Sequence, residues 1–204
     1  MIDAIAHPTD FSEEGTLAFE HALRLAVEFR CRLDILHVHS PRDKSDWRSF
    51  PHVRDPLARW GMLPATAPVS DIANKLGVKV NKIEIAHEDA GDGIVRFVTR
   101  HRPDLIVMAT HGHSGLNRWL SASISEAIAR ETHLPALFFG PVAQPFVDRL
   151  TGDLQLGNIL VPVTRHPAPR QSLKLLQNLL GGLRPRLHLL HVGDTSPWIL
   201  DSAG

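Results

Sequence analysis

Asp104 to Gly115 reads DLIVMATHGHSG. Leu105-Ile106-Val107-Met108 is an unbroken apolar run, the pattern of a parallel strand buried on both faces. Small residues follow at once, from Ala109 through Gly112 to Gly115. Ser121 to Arg130 then places Ile124, Ala127 and Ile128 on one helical stripe. A strand, a glycine-bearing loop and a helix in that order point to an α/β fold built on a parallel sheet.

The chain on either side keeps the same alternation. Ala4-Ile5-Ala6 is a short strand that stops at Pro8. Ser12 offers a helix N-cap, with Glu13 and Glu14 in the first turn where the helix dipole favours acid. Phe19, Ala22, Leu23, Ala26 and Phe29 then share a face. Leu33 to Val38 is a second strand. Ser40 to about Pro64 is charged and proline-containing without a clean period, so it reads as an excursion holding one short helix. Val69 to Leu76 is a weak helix, and Val78, Val80, Ile83 and Ile85 alternate imperfectly, as in a half-exposed strand. Asp89 to His101 is a helix with Ile94, Phe97 and Val98 inward. Ala136 to Phe139 closes the set.

Residues 141–157 carry Pro141, Pro145, Gly152 and Gly157 and read as connecting chain. The pattern then restarts. Ile159-Leu160-Val161-Pro162 echoes Ile5-Ala6-His7-Pro8, and Leu187 to Val192 echoes Leu33 to Val38, both at one offset. Ser172, Leu176, Leu179 and Leu180 give the helix between them. This internal repeat explains the length of 204 residues. The expected division is a first domain over 1–145, a linker over 146–157, and a partial second repeat, β-α-β, over 158–204. Such a fragment cannot cover its own leucines, so it is expected to dock on the first domain or on a partner subunit.

Composition narrows the function classes. Lys+Arg and Asp+Glu number 22 each, so no global field holds nucleic acid or an anionic membrane. The single cysteine, Cys31, excludes an internal disulfide framework and fits a reducing compartment, and the N-terminus carries no basic-then-apolar signal. A cytoplasmic location is therefore expected. No apolar stretch is long enough to cross a bilayer. His37-x-His39 and His111-x-His113 present paired imidazoles, but no cysteine or carboxylate cluster completes a metal site, so strand-end and loop histidines are the reading. Gly-x-Ser-x-Gly and Walker A sequences are both absent.

In an open α/β sheet, ligands sit outside the C-terminal strand ends. Asp10 follows the first strand and can accept hydrogen bonds from sugar hydroxyls or an adenine amine. The Gly112 loop feeds a helix N-terminus, where free N–H groups and the dipole favour phosphate, and Ser123 and Ser125 add hydroxyls. The alternative is an ordinary turn whose serines only cap the helix.

At these residues the chain resembles the universal stress protein (UspA) superfamily. The matching stretches are Ala4–Glu13, Leu33–Val38, Asp104–Gly115 and Leu116–Pro135, in the expected order. The resemblance implies an open parallel five-stranded sheet in the order 3-2-1-4-5 flanked by helices, Rossmann-like, with a partial second repeat of a tandem protein. It also implies a homodimer, an unidentified protein partner, and ATP as cofactor, with Mg, as part of a stress response. Nucleotide-binding members carry Gly-x2-Gly-x9-Gly-(Ser/Thr), which falls here on Ala109, Gly112, Ala122 and Ser123. Two of the three glycines are alanine, which adds a methyl where backbone approaches phosphate and disfavours positive φ. Similarity further carries Pro8, Thr9, Asp10, Val38, Met108, Ile124 and Ser125 onto the pocket, with Val38 and Met108 against adenine and the serines at the phosphates. Two alternatives stand beside ATP binding: a non-binding dimeric scaffold with a degenerate loop, and at most slow ATP hydrolysis. The second repeat has Thr164 where the first has Asp10 and lacks a phosphate loop.

Overall fold

A computed structural model describes residues 2–43, 47–110, 122–140, 142–163, 169–180 and 183–192. The chain divides into two units, Met1–Gln155 and Leu156–Gly204.

In the first unit, β1 (Ala4–Pro8) and β4 (Leu105–Ala109) are buried at every position. They lie in the middle of a five-stranded parallel sheet with β2 (Arg32–His39), β3 (Lys79–Ala86) and β5 (Ala136–Phe139), in the order β3-β2-β1-β4-β5. The continuous apolar runs of β1 and β4 follow from this central position, because helices cover both faces of a parallel sheet. β3, at one edge, is mostly half-buried, and this is why its alternation is imperfect. Asp104 ties β1 to β4: its Oδ2 accepts from the N–H groups of Asp3 and Ala4, at 2.8 and 3.0 Å.

Helix α1 (Glu13–Phe29) begins at Ser12, whose hydroxyl accepts from Gly15 N–H as the cap position requires. The excursion after β2 contains a 3-10 turn, Trp47–Ser49, and α2 (Arg54–Arg59), followed by α3 (Ser70–Leu76). Helix α4 (Ala90–His101) is capped by Asp89, which accepts from Asp92 N–H. It packs with α5 (Ala122–Thr132). One core cluster joins both helices to the sheet through Ala6, Leu36, Val38, Ile94, Phe97, Ile106, Met108 and Ile128. Truncating one of its large members to alanine would cost about 2–5 kcal/mol.

The segment expected as linker is different. Residues 146–155 belong to the first unit and are held by directed bonds. Phe146 and Val147 donate their backbone N–H groups to His21 Nε2 at 3.0 and 3.1 Å. Arg149 binds Glu20 through Nε at 2.8 Å, and Arg59 reaches the same carboxylate. Arg24 Nε donates to Gly152 O at 2.7 Å. Proline and glycine mark turns, and turns do not preclude packing. Here they shape a strap across α1 and α2, closed by a Val147–Leu154 bridge.

The second unit holds β6 (Asn158–Pro162), α6 (Pro169–Leu180) and β7 (Arg186–Leu190). β6 and β7 pair in parallel, Ile159 beside Leu187 and Val161 beside Leu189. The β-α-β order is that of β1, α1 and β2. Among the described residues no helix is long and apolar enough to cross a membrane.

Candidate functional site

The C-terminal ends of β1 and β2 open into a shallow, solvent-open cleft with a cavity volume of about 10 Å³. Pro8, Thr9, Asp10 and Val38 line it, together with Leu36, His37, Ala90 and Ile94. Four of the expected site residues therefore meet in one place, at the strand ends where open α/β sheets bind ligands.

The turn from Thr9 to Ser12 is tightly specified. Thr9 N–H donates to Leu36 O at 2.8 Å, which extends the β1–β2 ladder by one step. His37 Nδ1–H donates to Thr9 O at 2.9 Å, and Phe11 N–H donates to Thr9 Oγ1 at 3.1 Å. Phe11 sits at φ 64°, a left-handed conformation that costs a non-glycine residue energy, and its ring stacks on His37 at 4.1 Å. Asp10 Oδ1 accepts from both the backbone N–H and the hydroxyl of Ser12, at 3.0 and 2.6 Å. The carboxylate is thus fixed through one oxygen, while Oδ2 accepts no hydrogen bond among the described residues. A preset acceptor beside an apolar wall suits the hydroxyls or amine of a polar heterocyclic ligand.

His37 is the residue whose role the sequence concealed. The sequence reads it and His39 as strand-end histidines, and each ring is committed to a carbonyl, His37 to Thr9 and His39 to Ser40. Among the described residues no group of three or more His, Cys, Asp or Glu is placed to hold a metal. Ile94 was legible only as a core position of a helix, and Ala90 only as part of that helix. A signal for their second role is the small-residue start of that helix, Ala90-Gly91-Asp92-Gly93. A Cβ on Gly93 would lie 2.9 Å from Val38 Cγ1, so glycine lets α4 approach the cleft wall.

The remaining expected residues are distributed as follows. Met108 is fully buried in the core cluster and does not line the cleft. Ala109, 2% exposed, ends β4 beside Phe139. Ile124 is half-buried and packs against the same cluster. Ser125 is buried, and its Oγ has no hydrogen-bond partner among the described residues, so α5 carries an orphan hydroxyl. Ala122 and Ser123 form the start of α5. Gly112, His111 and His113 lie outside the described residues, as does Thr164. Cys31 is buried just before β2, and burial above all pushes its thiol up to about 12, which excludes a thiolate nucleophile at neutral pH.

A larger cavity, about 290 Å³, lies beyond Thr9 between α1, α2 and the strap. Its most buried charge, Glu20, is already neutralised by Arg59 and Arg149. The Asp10 cleft, with an unused acceptor, is the stronger candidate.

The universal stress protein family model matches residues 1–139. Universal stress protein MJ0531 of Methanocaldococcus jannaschii is 31% identical over 139 residues, covering 65% of this chain and 79% of its own. Among solved structures, a universal stress protein of Pseudomonas aeruginosa UCBPP-PA14 aligns with 99% of this chain and 66% of its own, at 16% identity and a TM-score of 0.59. That likeness concerns the fold. A universal stress protein family member of Arabidopsis thaliana, solved with AMP bound, aligns with 74% of this chain and 99% of its own, at 17% identity and a TM-score of 0.41.

Proposed function

The chain belongs to the universal stress protein family, and from that membership we propose that it binds ATP or a related adenine nucleotide in the Asp10 cleft. Its role is then sensing or regulation in a stress response, in the cytoplasm and as a homodimer, with the second unit as a partial tandem repeat. The observation that carries the reading is Asp10: one oxygen anchored by Ser12, the other an unused acceptor at the end of β1. Val38 and Ile94 supply the apolar wall. The orphan hydroxyl of Ser125 supports a polar ligand reaching α5, since a buried hydroxyl without a partner costs about 1–3 kcal/mol that a phosphate oxygen would recover. Gly112 and Ser123 would meet the phosphates, with Mg²⁺ bound through phosphate oxygens rather than a protein cage.

Calorimetric titration of ATP with Mg²⁺ tests this. Micromolar to submillimolar binding is expected, and Asp10→Ala should weaken it by about tenfold or more, the loss of a charged hydrogen-bond acceptor. No heat of binding at millimolar nucleotide would refute the proposal.

A second reading follows from Ala109 and Ala122, which stand at two of the three glycine positions of the family's phosphate loop. The chain would then be a scaffold that binds no nucleotide. Glycine restored at both positions separates the two: ATP binding that appears only in the double variant selects the scaffold. Slow ATP hydrolysis is a third reading, excluded by phosphate release no faster than buffer with ATP demonstrably bound.

A further inference from the structure

The cavity between α1, α2 and the strap lies wholly in the first unit and shares only Thr9 with the Asp10 cleft. At about 290 Å³ it stands at the small end of ligand pockets. Four charged side chains line it, beside the imidazole of His52: Glu20 on α1, Asp55 and Arg59 on α2, and Arg149 on the strap. Two of each sign are present, but they do not cancel in place.

Glu20 is the most buried of the four, at 3% exposed. Arg149 meets its carboxylate through Nε at 2.8 Å and Nη2 at 3.3 Å, and Arg59 meets it through Nη2. Arg59 Nε donates to Arg149 O at 2.6 Å. Two guanidinium groups thus share one carboxylate, which leaves a positive charge in surplus. The Nη1 of each makes no hydrogen bond among the described residues. Asp55 is the counterpart. An aspartate four residues before an arginine on a helix ordinarily pairs with it. Here Arg59 is turned to Glu20 and Arg149 O, and the exposed Asp55 carboxylate has no hydrogen bond or ion pair among the described residues.

Opposite charges held apart around one cavity select against simple ions. An anion at the guanidinium groups is repelled by Asp55, and a cation at Asp55 is repelled by the guanidinium groups. A molecule that carries both charges satisfies both. Residues four apart on a helix hold their Cβ atoms about 5–6 Å from one another, a spacing that a carboxylate and an ammonium on one carbon can bridge. Phe11, Phe19, Pro51 and Pro56 add apolar wall to the same cavity.

We propose that this cavity binds a compact zwitterion, an α-amino acid with an apolar side chain. Its carboxylate lies at the Nη1 edges of Arg59 and Arg149, its ammonium at Asp55, and its side chain against Phe11 and Phe19. Both charged ends meet exposed partners, so affinity is modest and falls with salt.

The test titrates the full chain with L-leucine, L-methionine and L-phenylalanine by calorimetry. At least one should bind with a Kd between about 10 μM and 1 mM. The same molecule without its ammonium group (isocaproate for leucine) or without its carboxylate (isopentylamine) should bind at least about tenfold more weakly. Asp55→Asn, which removes a carboxylate with no bond to lose, should weaken the amino acid by about tenfold and leave the ammonium-free analogue unchanged. Asp43→Asn, an exposed carboxylate that does not line the cavity, should change neither. Hydrogen exchange in the unaltered chain reads the same contact without substitutions: amides of 54–59 and 146–155 should gain protection with the amino acid and not with the amine. No nucleotide is present in any arm, so the result does not depend on the Asp10 cleft. Binding of none of the three at about 10 mM overturns the proposal. Equal affinity for the ammonium-free analogue would make this an anion site, equal affinity for the amine a cation site, and either overturns it. An amino acid that binds Asp55→Asn as tightly as the unaltered chain sits elsewhere, which overturns it too.

Discussion

His7 and His21 both depend on staying neutral. His7 is fully buried, its Nδ1–H donates to Val107 O at 2.9 Å, and its Nε2 has no partner among the described residues. Burial lowers its pKa to about 4, against the opposing pull of the Val107 bond and the Asp10 charge. His21 donates through Nδ1–H to Leu17 O at 2.8 Å, and its Nε2 accepts two strap N–H groups. Burial lowers its pKa too, opposed by the Leu17 bond and Glu20. A proton on that Nε2 would face two donors. Between pH 6.5 and about 4 the unfolded chain therefore binds more protons than the folded one, so stability must fall as pH falls through that window. His7 alone contributes a loss of about 2 kcal/mol between pH 7.5 and pH 5. Urea titrations at the two pH values should show at least that loss, and His7→Gln should reduce it by about 2 kcal/mol. An unchanged pH difference in His7→Gln would remove His7 from the account. None of this was visible in the sequence, where His7 was only one letter of a strand. A histidine's protonation is set first by the burial that the fold imposes on it, against which its carbonyl bonds pull the other way.

Elements were far more legible than their contacts. Leu105–Met108 announced a central strand because unbroken apolar runs have few other uses, and Ser12 announced a helix start because a side-chain oxygen before a periodic run satisfies orphan N–H groups. The strap escaped because Pro141, Pro145 and Gly152 specify local turns and carry no information on what lies underneath. Gly152, at φ 74°, shows what was missed: a Cβ there would come within 2.7 Å of Trp60 Cγ. The cleft was half legible. Asp10 stood out by chemistry, whereas Val38 could be placed on the pocket only by resemblance, and its contact with Gly93 belongs to the packing of α4. Gly93→Ala would press a methyl to 2.9 Å from Val38 Cγ1 and 3.2 Å from His87 Cβ, so Val38 must move. The expected cost is about 1–3 kcal/mol in stability, together with a severalfold loss of nucleotide affinity. Gly157→Ala, with nothing within 4 Å, is the neutral control. A destabilised Gly93→Ala protein that binds nucleotide with unchanged affinity would show that Val38 is core rather than cleft wall.

At the scale of the whole chain, the repeat offset told where a second β-α-β begins but not where the first unit ends. Sequence placed that end at 145, before the strap; the contacts place it at Gln155. The difference has an energetic meaning, because the strap supplies partners to groups already buried in α1. Without residues 141–155, His21 Nε2 would lose both of its donors and Glu20, 3% exposed, would lose Arg149. Phe139 and His21 would lose the ring of Phe146, 6.1 and 4.4 Å away. Leaving a buried acceptor unpaired costs about 1–3 kcal/mol, and removing one partner of a buried carboxylate costs a similar amount or more. A chain cut after Gln155 should therefore melt close to the first transition of the full protein, while one cut after Gly140 should lose several kcal/mol and melt well below it. Nucleotide affinity should be unchanged in the 1–155 chain, since every residue proposed for the cleft lies within it. Thermal unfolding of the two truncated chains beside the full one decides the matter. Equal stability of 1–140 and 1–155 would mean that the strap rests on α1 without supporting it, and that 145 was the better boundary after all.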